Sequence, residues 1–292
     1  MIEEFLNYLR YERNCSAQTV QGYEGDLRDF EAFFKNLEAQ LSWETIDSDV
    51  IRDWMESMMK KGNIATSVNR RLSALRSFYR FALSHNKVSS DPAYGVTGPK
   101  KNRPLPQFLK EREMDQLLKD ELWGGSYKET RARTIILTFY STGMRLSELV
   151  GLDDGAVDFA MGEIKVTGKR NKQRVIPFGD ELACALRGYM EQRDKELEKH
   201  SEALFLTEKG VRMNQQQVRY EVKKHVSRVS TLKKRTPHVL RHTFATAMLN
   251  HEAGLESIKK LLGHERFTTT EIYTHTTFEQ LKRVYDKAHP RN

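Results

Sequence analysis

The stretch that decides the fold is TPHVLRHTFATAMLNHEAGLESIKKLLGHERFTTTEIYTH, residues 236–275. Thr236 is suited to cap a helix and Pro237 to open one, so a helix is predicted to begin here. His238 and Arg241 are three residues apart in its first turn and share one face. Because a helix N-terminus carries partial positive charge and unpaired N–H groups, this face is typical of a phosphate-binding site.

Two further helices are predicted in the same stretch. A helix over residues 255–262 should end at Gly263, which can adopt the left-handed cap conformation, and His264 follows directly. A capping-box spacing that begins at Thr268 predicts a third helix with Tyr273 in its first turns. Each of these residue types alone is usually structural. One arginine, two histidines and one tyrosine in a single stretch, with cap signals that orient them, indicate a site.

The composition is that of a globular protein with two domains. The chain has 292 residues, 38% of them hydrophobic and 30% charged, which is enough for two separate cores. No apolar run approaches the ~20 residues that a membrane-spanning helix needs. The N-terminus, MIEEFLNYLRYER, is acidic and amphipathic and is unlike a signal peptide. The two cysteines do not make a disulfide framework, so we expect a cytoplasmic protein.

The positive charge is clustered. The net charge is +8, and residues 66–88 and 222–251 contain basic side chains and no acidic ones. Such stripes favour a polyanionic partner, most simply nucleic acid, although a solvated helix face is the alternative for each stripe alone. The candidate DNA-binding residues are Arg70, Arg71, Arg76, Arg80, Lys100, Lys101, Arg170 and Lys172.

Hydrophobic periodicity predicts a mainly helical chain. Residues 1–95 should form a helical, DNA-binding bundle, and the Pro-, Gly- and Lys-containing residues 96–108 an interdomain linker. Residues 109–292 should form a second domain, with helices predicted over 110–119, 130–141, 180–197 and 214–227. Alternating residues over 163–167 and 174–178 predict a β-hairpin, with Lys169 and Arg170 near its tip. The apolar segment 203–206 is either a buried strand or the lead-in to a helix.

An ordered set of six residues resembles the tyrosine recombinases of the phage-integrase family. The set is Arg145, Lys169, His238, Arg241, His264 and Tyr273. The sequence contexts TGMRLSEL, PHVLRHTFAT and LGHERFTTTEIYTH match as well, and the nearest likeness is to the Xer-type members. The resemblance covers nearly the whole chain. It implies a mainly α fold, with an N-terminal core-binding (SAM-like) bundle and a C-terminal α-rich catalytic domain that contains a small antiparallel sheet.

The resemblance also implies the chemistry. The Tyr273 hydroxyl would attack a DNA phosphate and form a 3′-phosphotyrosine bond, which releases a 5′-hydroxyl. The two arginines of the set would hold the non-bridging oxygens with paired N–H donors, and His264 would donate to the same group. Lys169 is the candidate general acid, and His238 is the candidate general base or a helper in positioning Tyr273. Neither a cofactor nor a metal ion is expected.

His242 has a second possible interpretation. His238 and His242 are four residues apart on one helix, a spacing that can bind Zn²⁺. Position 239 is Val, however, where the zinc-protease motif HExxH has glutamate. A hydrogen bond inside the site, or packing beneath it, is therefore the favoured role for His242.

The implied partners are double-stranded DNA and further recombinase subunits. The family acts as homo- or hetero-tetramers on two DNA sites, so a second recombinase and a septal DNA translocase are candidate partners. Residues 278–288 resemble the helix that docks onto a neighbouring subunit, with packing on their own domain as the alternative. The chain begins with the first core-binding helix, which favours a Xer-type role in resolving chromosome or plasmid dimers over an integrase of the lambda type.

Other functions remain open at this point. An integrase or excisionase of a mobile element would have the same six residues. A type IB topoisomerase would use the same chemistry without a partner duplex, but the two-domain form and the docking tail disfavour it. A DNA-binding accessory protein without catalysis is disfavoured because all six site residues are intact.

Overall fold

The computed structural model describes residues 1–101, 106–168, 171–263 and 275–291, with side chains in the last range from Lys282 onward. The chain divides into two compact units, Met1–Pro104 and Leu105–Asn292. Helices dominate both units and a small antiparallel sheet lies in the second, which confirms the predicted fold class. Residues 102–105 of the predicted linker lie outside the described ranges. Within those ranges, no helix has the length and apolar character needed to cross a membrane.

The first unit is built from α1 (Ile2–Asn7), α2 (Ala17–Leu37), α3 (Ser48–Lys60) and α4 (Ala65–Ser84). The first helix continues directly into a π-helical turn, Tyr8–Glu12. The Ser16 side chain accepts a hydrogen bond from the backbone N–H of Thr19 at the start of α2 (3.2 Å), and Asp47 caps α3 in the same way. These caps satisfy N–H groups that have no partner within the helix, which explains why the helices begin there.

Aromatic side chains form the core of the first unit. Trp43, which lies between α2 and α3, contacts Phe30, Phe34 and Phe78 with ring centroids 4.5–5.7 Å apart. Its indole N–H donates to the Glu31 carboxylate (3.0 Å), so the one polar atom of the ring is satisfied. Because aromatic pairs at these distances stabilise a core beyond the area they bury, Trp43 joins α2 to α4.

The second unit contains α5 (Glu111–Leu118), α6 (Tyr127–Thr142), α7 (Leu146–Val150), α8 (Asp180–Glu196), α9 (Gln215–Val226), α10 (Pro237–Asn250), α11 (Leu255–Leu262) and α12 (His275–Ala288). Its sheet has the order β1 (Val157–Asp158), β2 (Glu163–Thr167) and β3 (Gln173–Pro177), and both pairings are antiparallel. Ile164 pairs with Ile176, and both are buried. The segment 203–206 is buried and makes only isolated bridges through Ala203 and Leu206.

The sixth helix lies at the centre of the second unit and packs against α8, α9 and α10. All of its residues from 134 to 142 are buried. The hydroxyls of Thr134, Thr138 and Thr142 each donate to the carbonyl four residues earlier, so these polar side chains leave no unsatisfied donor in the core. A buried helix therefore leads directly into the turn that carries Arg145.

The C-terminal helix packs on its own unit. Tyr285 is fully buried in a cluster with Phe244 of α10 and with residues of α11. His289 stacks on Tyr285 with ring centroids 5.0 Å apart, and Arg291 forms ion pairs with acidic side chains of α5 and α8. In this single chain, the C-terminal helix thus packs on its own domain, which was the alternative to docking onto a neighbouring subunit. Docking onto a neighbouring subunit stays a prediction.

Candidate active site

Arg145 lies at the turn between α6 and α7. The preceding helix ends at Gly143, whose backbone is left-handed (φ 59°), and a Cβ there would lie 2.4 Å from the Phe244 ring. The Arg145 guanidinium donates from Nη1 to Glu148 Oε1 (2.8 Å) and from Nη2 to the carbonyl of Gly263 (2.6 Å). Glycine at 143 is therefore required for the sharp turn that directs Arg145 to the end of α11.

Arg241 reaches the same place from α10. It is 7% exposed and donates from Nη1 to the Gly143 carbonyl (2.7 Å) and from Nη2 to the Leu262 carbonyl (2.8 Å). Burial, followed by the nearby charge of Arg145, lowers the pKa of Arg241 to about 10, so the side chain stays charged at neutral pH. The structure thus brings together the two arginines that the sequence motif predicted.

A carboxylate and a third arginine complete this cluster, and the sequence analysis assigned no role to either. Arg174 on β3 donates from Nη1 and Nη2 to the two carboxylate oxygens of Glu148 (2.6 and 2.9 Å), and from Nε to the Leu261 carbonyl (3.1 Å). Glu148 is buried and also accepts from the backbone N–H of Arg145 (2.6 Å). The Arg-x-x-Glu spacing at 145–148 could have indicated Glu148, but no local signal pointed to Arg174.

The three guanidinium groups converge on the C-terminal end of α11. They bind three consecutive carbonyl groups, those of Leu261, Leu262 and Gly263. The last carbonyls of a helix have no partner within the helix and carry partial negative charge, so cations are well placed there. His264, the next residue in the sequence, therefore directly follows the carbonyl that Arg145 binds.

His238 and His242 form a pair on α10. Their Nε2 atoms are 3.1 Å apart, and the rings meet edge to face with centroids 4.4 Å apart. His238 is exposed and His242 is half-buried. For His242 the sequence analysis favoured a hydrogen bond inside the site or packing beneath it, and the structure shows a hydrogen bond to His238. In the part of the chain that the structure describes, no group of three or more His, Cys, Asp or Glu side chains is arranged to hold a metal ion.

Some predicted site residues lie outside the described ranges. They are Lys169, Arg170, His264 and Tyr273, together with the helix start predicted at Thr268. At the base of the β2–β3 hairpin, the backbone N–H of Gly168 donates to the carbonyl of Lys172 (2.7 Å), and the Lys172 side chain is exposed. The roles of Lys169, His264 and Tyr273 are taken up below as proposals, and Arg170 stays a predicted DNA-binding residue.

The predicted DNA-binding arginines of α4 do not share one environment. Arg70 and Arg71 pair with acidic side chains of α2. Arg76 donates to the backbone carbonyls of residues 93 and 96, and thereby holds the segment after α4 against that helix. The described residues of the predicted set with exposed side chains outside such contacts are Arg80, Lys100, Lys101 and Lys172.

Comparison with known proteins assigns the chain to a family. The model of the phage integrase family matches residues 107–280, and the model of the N-terminal SAM-like domain of phage integrases matches residues 2–86. The chain belongs to the phage integrase family. These matches cover both units of the structure and confirm the tyrosine-recombinase resemblance of the sequence.

Individual relatives of this phage integrase family member are of the Xer type. Tyrosine recombinase XerC of Chlorobaculum parvum is 38% identical over 99% of this chain and 94% of its own length. Tyrosine recombinase XerD of Oceanobacillus iheyensis is 33% identical over 99% of this chain and 98% of its own length. The crystal structure of XerH site-specific recombinase bound to palindromic difH substrate has the same fold, with a TM-score of 0.72 and 21% identity over 97% of this chain and 83% of that one.

Glu148 should make this family member's stability depend on pH. Burial acts to raise the pKa of Glu148, but the hydrogen bonds and charge of Arg174, with hydrogen bonds from Arg145, outweigh it and lower the pKa from 4.5 to about 2. A carboxylate with a lowered pKa stabilises the folded state above pH 4.5, and the contribution is lost as the pH falls toward 2. The shift corresponds to about 3 kcal/mol.

We therefore expect the free energy of unfolding of Glu148→Gln near pH 7 to be about 3 kcal/mol lower than that of the wild type. This difference in stability should become smaller below pH 4.5. Urea unfolding of both proteins at several pH values measures this difference. Glu191→Gln is a suitable control, because Glu191 is exposed on α8 and belongs to no part of the cluster. If the difference in free energy of unfolding between the wild type and Glu148→Gln does not change with pH, Glu148 does not have the lowered pKa.

Proposed function

We propose that the protein is a site-specific DNA recombinase that cuts and rejoins DNA through a 3′-phosphotyrosine at Tyr273. The observation that carries this proposal is the convergence of Arg145 and Arg241 on the end of α11, immediately before His264, in a chain of the phage integrase family. Two guanidinium groups held at one point can neutralise a phosphate whose charge grows during attack.

The contacts of the two arginines leave donors for DNA. A guanidinium has five N–H groups, and each described hydrogen bond of Arg145 and Arg241 uses one of them. The protein contacts fix each fork, and its remaining N–H groups can bind the non-bridging oxygens of the scissile phosphate. A site fixed before DNA arrives needs little reorganisation in the transition state.

The other residues of the set are proposed to carry out the attack, the proton transfers and a hydrogen bond to the phosphate. Tyr273 attacks the phosphorus, its hydroxyl proton leaves, and the 5′-oxygen departs with a proton from a general acid. We assign the general acid to Lys169, the base or positioning role to His238, and a hydrogen bond to the phosphate to His264. One ester of phosphoric acid replaces another of similar energy, so the step is reversible and needs no nucleotide cofactor.

The biological role that we propose is Xer-type resolution of chromosome or plasmid dimers in the cytoplasm. It is supported by the full-length similarity to proteins named XerC and XerD. The protein would act on double-stranded DNA as a homo- or hetero-tetramer over two sites, with a second recombinase and a septal DNA translocase as further partners.

A nicked suicide substrate tests the proposed reaction. The nick lets a short oligonucleotide diffuse away after cleavage, so a recombinase accumulates as a covalent protein–DNA complex on a cognate core site. Supercoiled plasmid without such a site separates the alternatives, because a type IB topoisomerase would relax it and a recombinase would not. The proposal fails if no covalent complex forms on any of a set of Xer-type core sites.

DNA binding should weaken steeply as salt is added. A protein that neutralises several phosphates releases condensed counterions, so the logarithm of its affinity falls by about 0.9 per phosphate for each tenfold rise in salt. Titrations of a core site at several salt concentrations measure the slope, and Lys100→Gln combined with Lys101→Gln should reduce it. A flat salt response would contradict the basic residues as the DNA-binding face.

A further inference from the structure

The two histidines on α10, His238 and His242, are joined by one hydrogen bond between their Nε2 atoms. At 3.1 Å the two Nε2 atoms are at hydrogen-bond distance, so one of them must carry a hydrogen and the other must present a lone pair. Two lone pairs, or two N–H groups, would repel each other at this distance. The protonation of His238 and that of His242 are therefore linked.

This link decides which nitrogen of His238 can act on DNA. A neutral imidazole has one donor and one acceptor nitrogen. If His242 donates, His238 accepts at Nε2 and carries its own hydrogen at Nδ1. If His238 donates from Nε2, its Nδ1 has the free lone pair. In both cases Nε2 of His238 is already engaged, and Nδ1 is the nitrogen that remains for substrate.

The surroundings of His242 suit it to be a neutral partner. It is half-buried, whereas His238 is exposed. Burial lowers the pKa of His242, and the nearby His238 and Arg241 lower it further. Within the described parts of the chain, these two residues of α10 are the titratable or charged groups that act on His242. A neutral ring can donate to His238 or accept from it, whereas a charged ring could only donate.

We infer that His242 is a positioning residue for His238: it holds the orientation of that ring and engages its Nε2, so that Nδ1 of His238 meets the reacting oxygen. The inference rests on the proposed recombinase function and adds a residue to its site. It requires that His242 act on cleavage only through His238.

A double-mutant cycle tests this requirement. The measurements are the single-turnover rate of covalent-complex formation on the nicked substrate and the affinity for the same DNA. We expect His242→Leu to slow cleavage by about tenfold to a hundredfold, part of the 10²–10⁴ that a general acid–base group contributes, with DNA affinity within about twofold of wild type. The double variant His238→Ala/His242→Leu should be no slower than His238→Ala alone.

Conservative replacements separate positioning from packing. In His242→Gln the side-chain amide can still reach across one helical turn and either donate or accept, so most of the cleavage rate should return. In His242→Asn the amide is too short to reach, so cleavage should stay slow. This comparison also holds if His242→Leu fails to fold. His251→Leu, which removes the histidine at the other end of α10, serves as the matched control and should cleave like the wild type.

The outcomes distinguish this inference from the proposed function. If the wild type forms the covalent complex and His242→Leu forms it equally fast, His242 has no positioning role. Independent, multiplicative effects of His238→Ala and His242→Leu would also overturn the inference, as would equal rates for His242→Gln and His242→Asn. If the wild type itself forms no covalent complex, the proposed function fails first.

Discussion

Replacing Tyr273 by Phe is expected to abolish the covalent protein–DNA complex while leaving DNA affinity within about twofold of the wild type. The substitution removes one oxygen atom and keeps the ring. If Tyr273 is the nucleophile, no other group can form the phosphotyrosine bond, so the loss should be complete rather than partial. Labelled nicked substrate, resolved on a denaturing gel, measures the complex, and a filter or gel-shift titration measures the affinity.

Tyr220→Phe is the matched control for this experiment. Tyr220 is a surface tyrosine of the same unit, 64% exposed on α9, so a hydroxyl that reacted merely because it is accessible would be found there. We expect Tyr220→Phe to form the covalent complex at a rate close to that of the wild type. If Tyr273→Phe is trapped as well as the wild type, the nucleophile has been assigned to the wrong residue.

The helices were predictable because their signals are local. Pro237 opens α10 and Gly263 ends α11, as the sequence indicated, and hydrophobic periodicity indicated that residues 1–95 are helical. Caps and periodicity involve residues a few positions apart, which a single sequence displays directly. The hairpin β2–β3 was predictable for the same reason, since its strands are adjacent in the chain.

The partners of the site residues were less predictable because they are distant in sequence. Arg174 binds Glu148 and the end of α11, and nothing near position 174 indicates either contact. The basic stripe of α4 shows the converse: Arg70 appeared available for DNA, yet it pairs with Asp26 of α2. The sequence gives the charge of a residue on a helix, but tertiary packing determines which residue it pairs with.

Arg241→Lys is expected to lose cleavage by at least about a hundredfold while keeping most of the DNA affinity. The positive charge remains, so long-range attraction to the phosphate is preserved. The substitution removes the planar, forked guanidinium, whose two terminal nitrogens bind the Gly143 and Leu262 carbonyls separately. The single ammonium of lysine cannot bind both carbonyls and also hold the phosphate in a fixed orientation. Removal of one such donor typically lowers the rate by about 10²–10³.

Arg133→Lys provides the control for replacing a carbonyl-bound arginine. Arg133 donates from Nε and Nη2 to the Leu118 carbonyl (3.3 and 2.9 Å) in the same unit, and it belongs to no part of the proposed site. We expect it to cleave like the wild type. Thermal unfolding of both variants checks that each is folded. Equal cleavage by Arg241→Lys and the wild type would mean that charge alone suffices, and that the two-carbonyl contact of Arg241 serves the fold rather than the reaction.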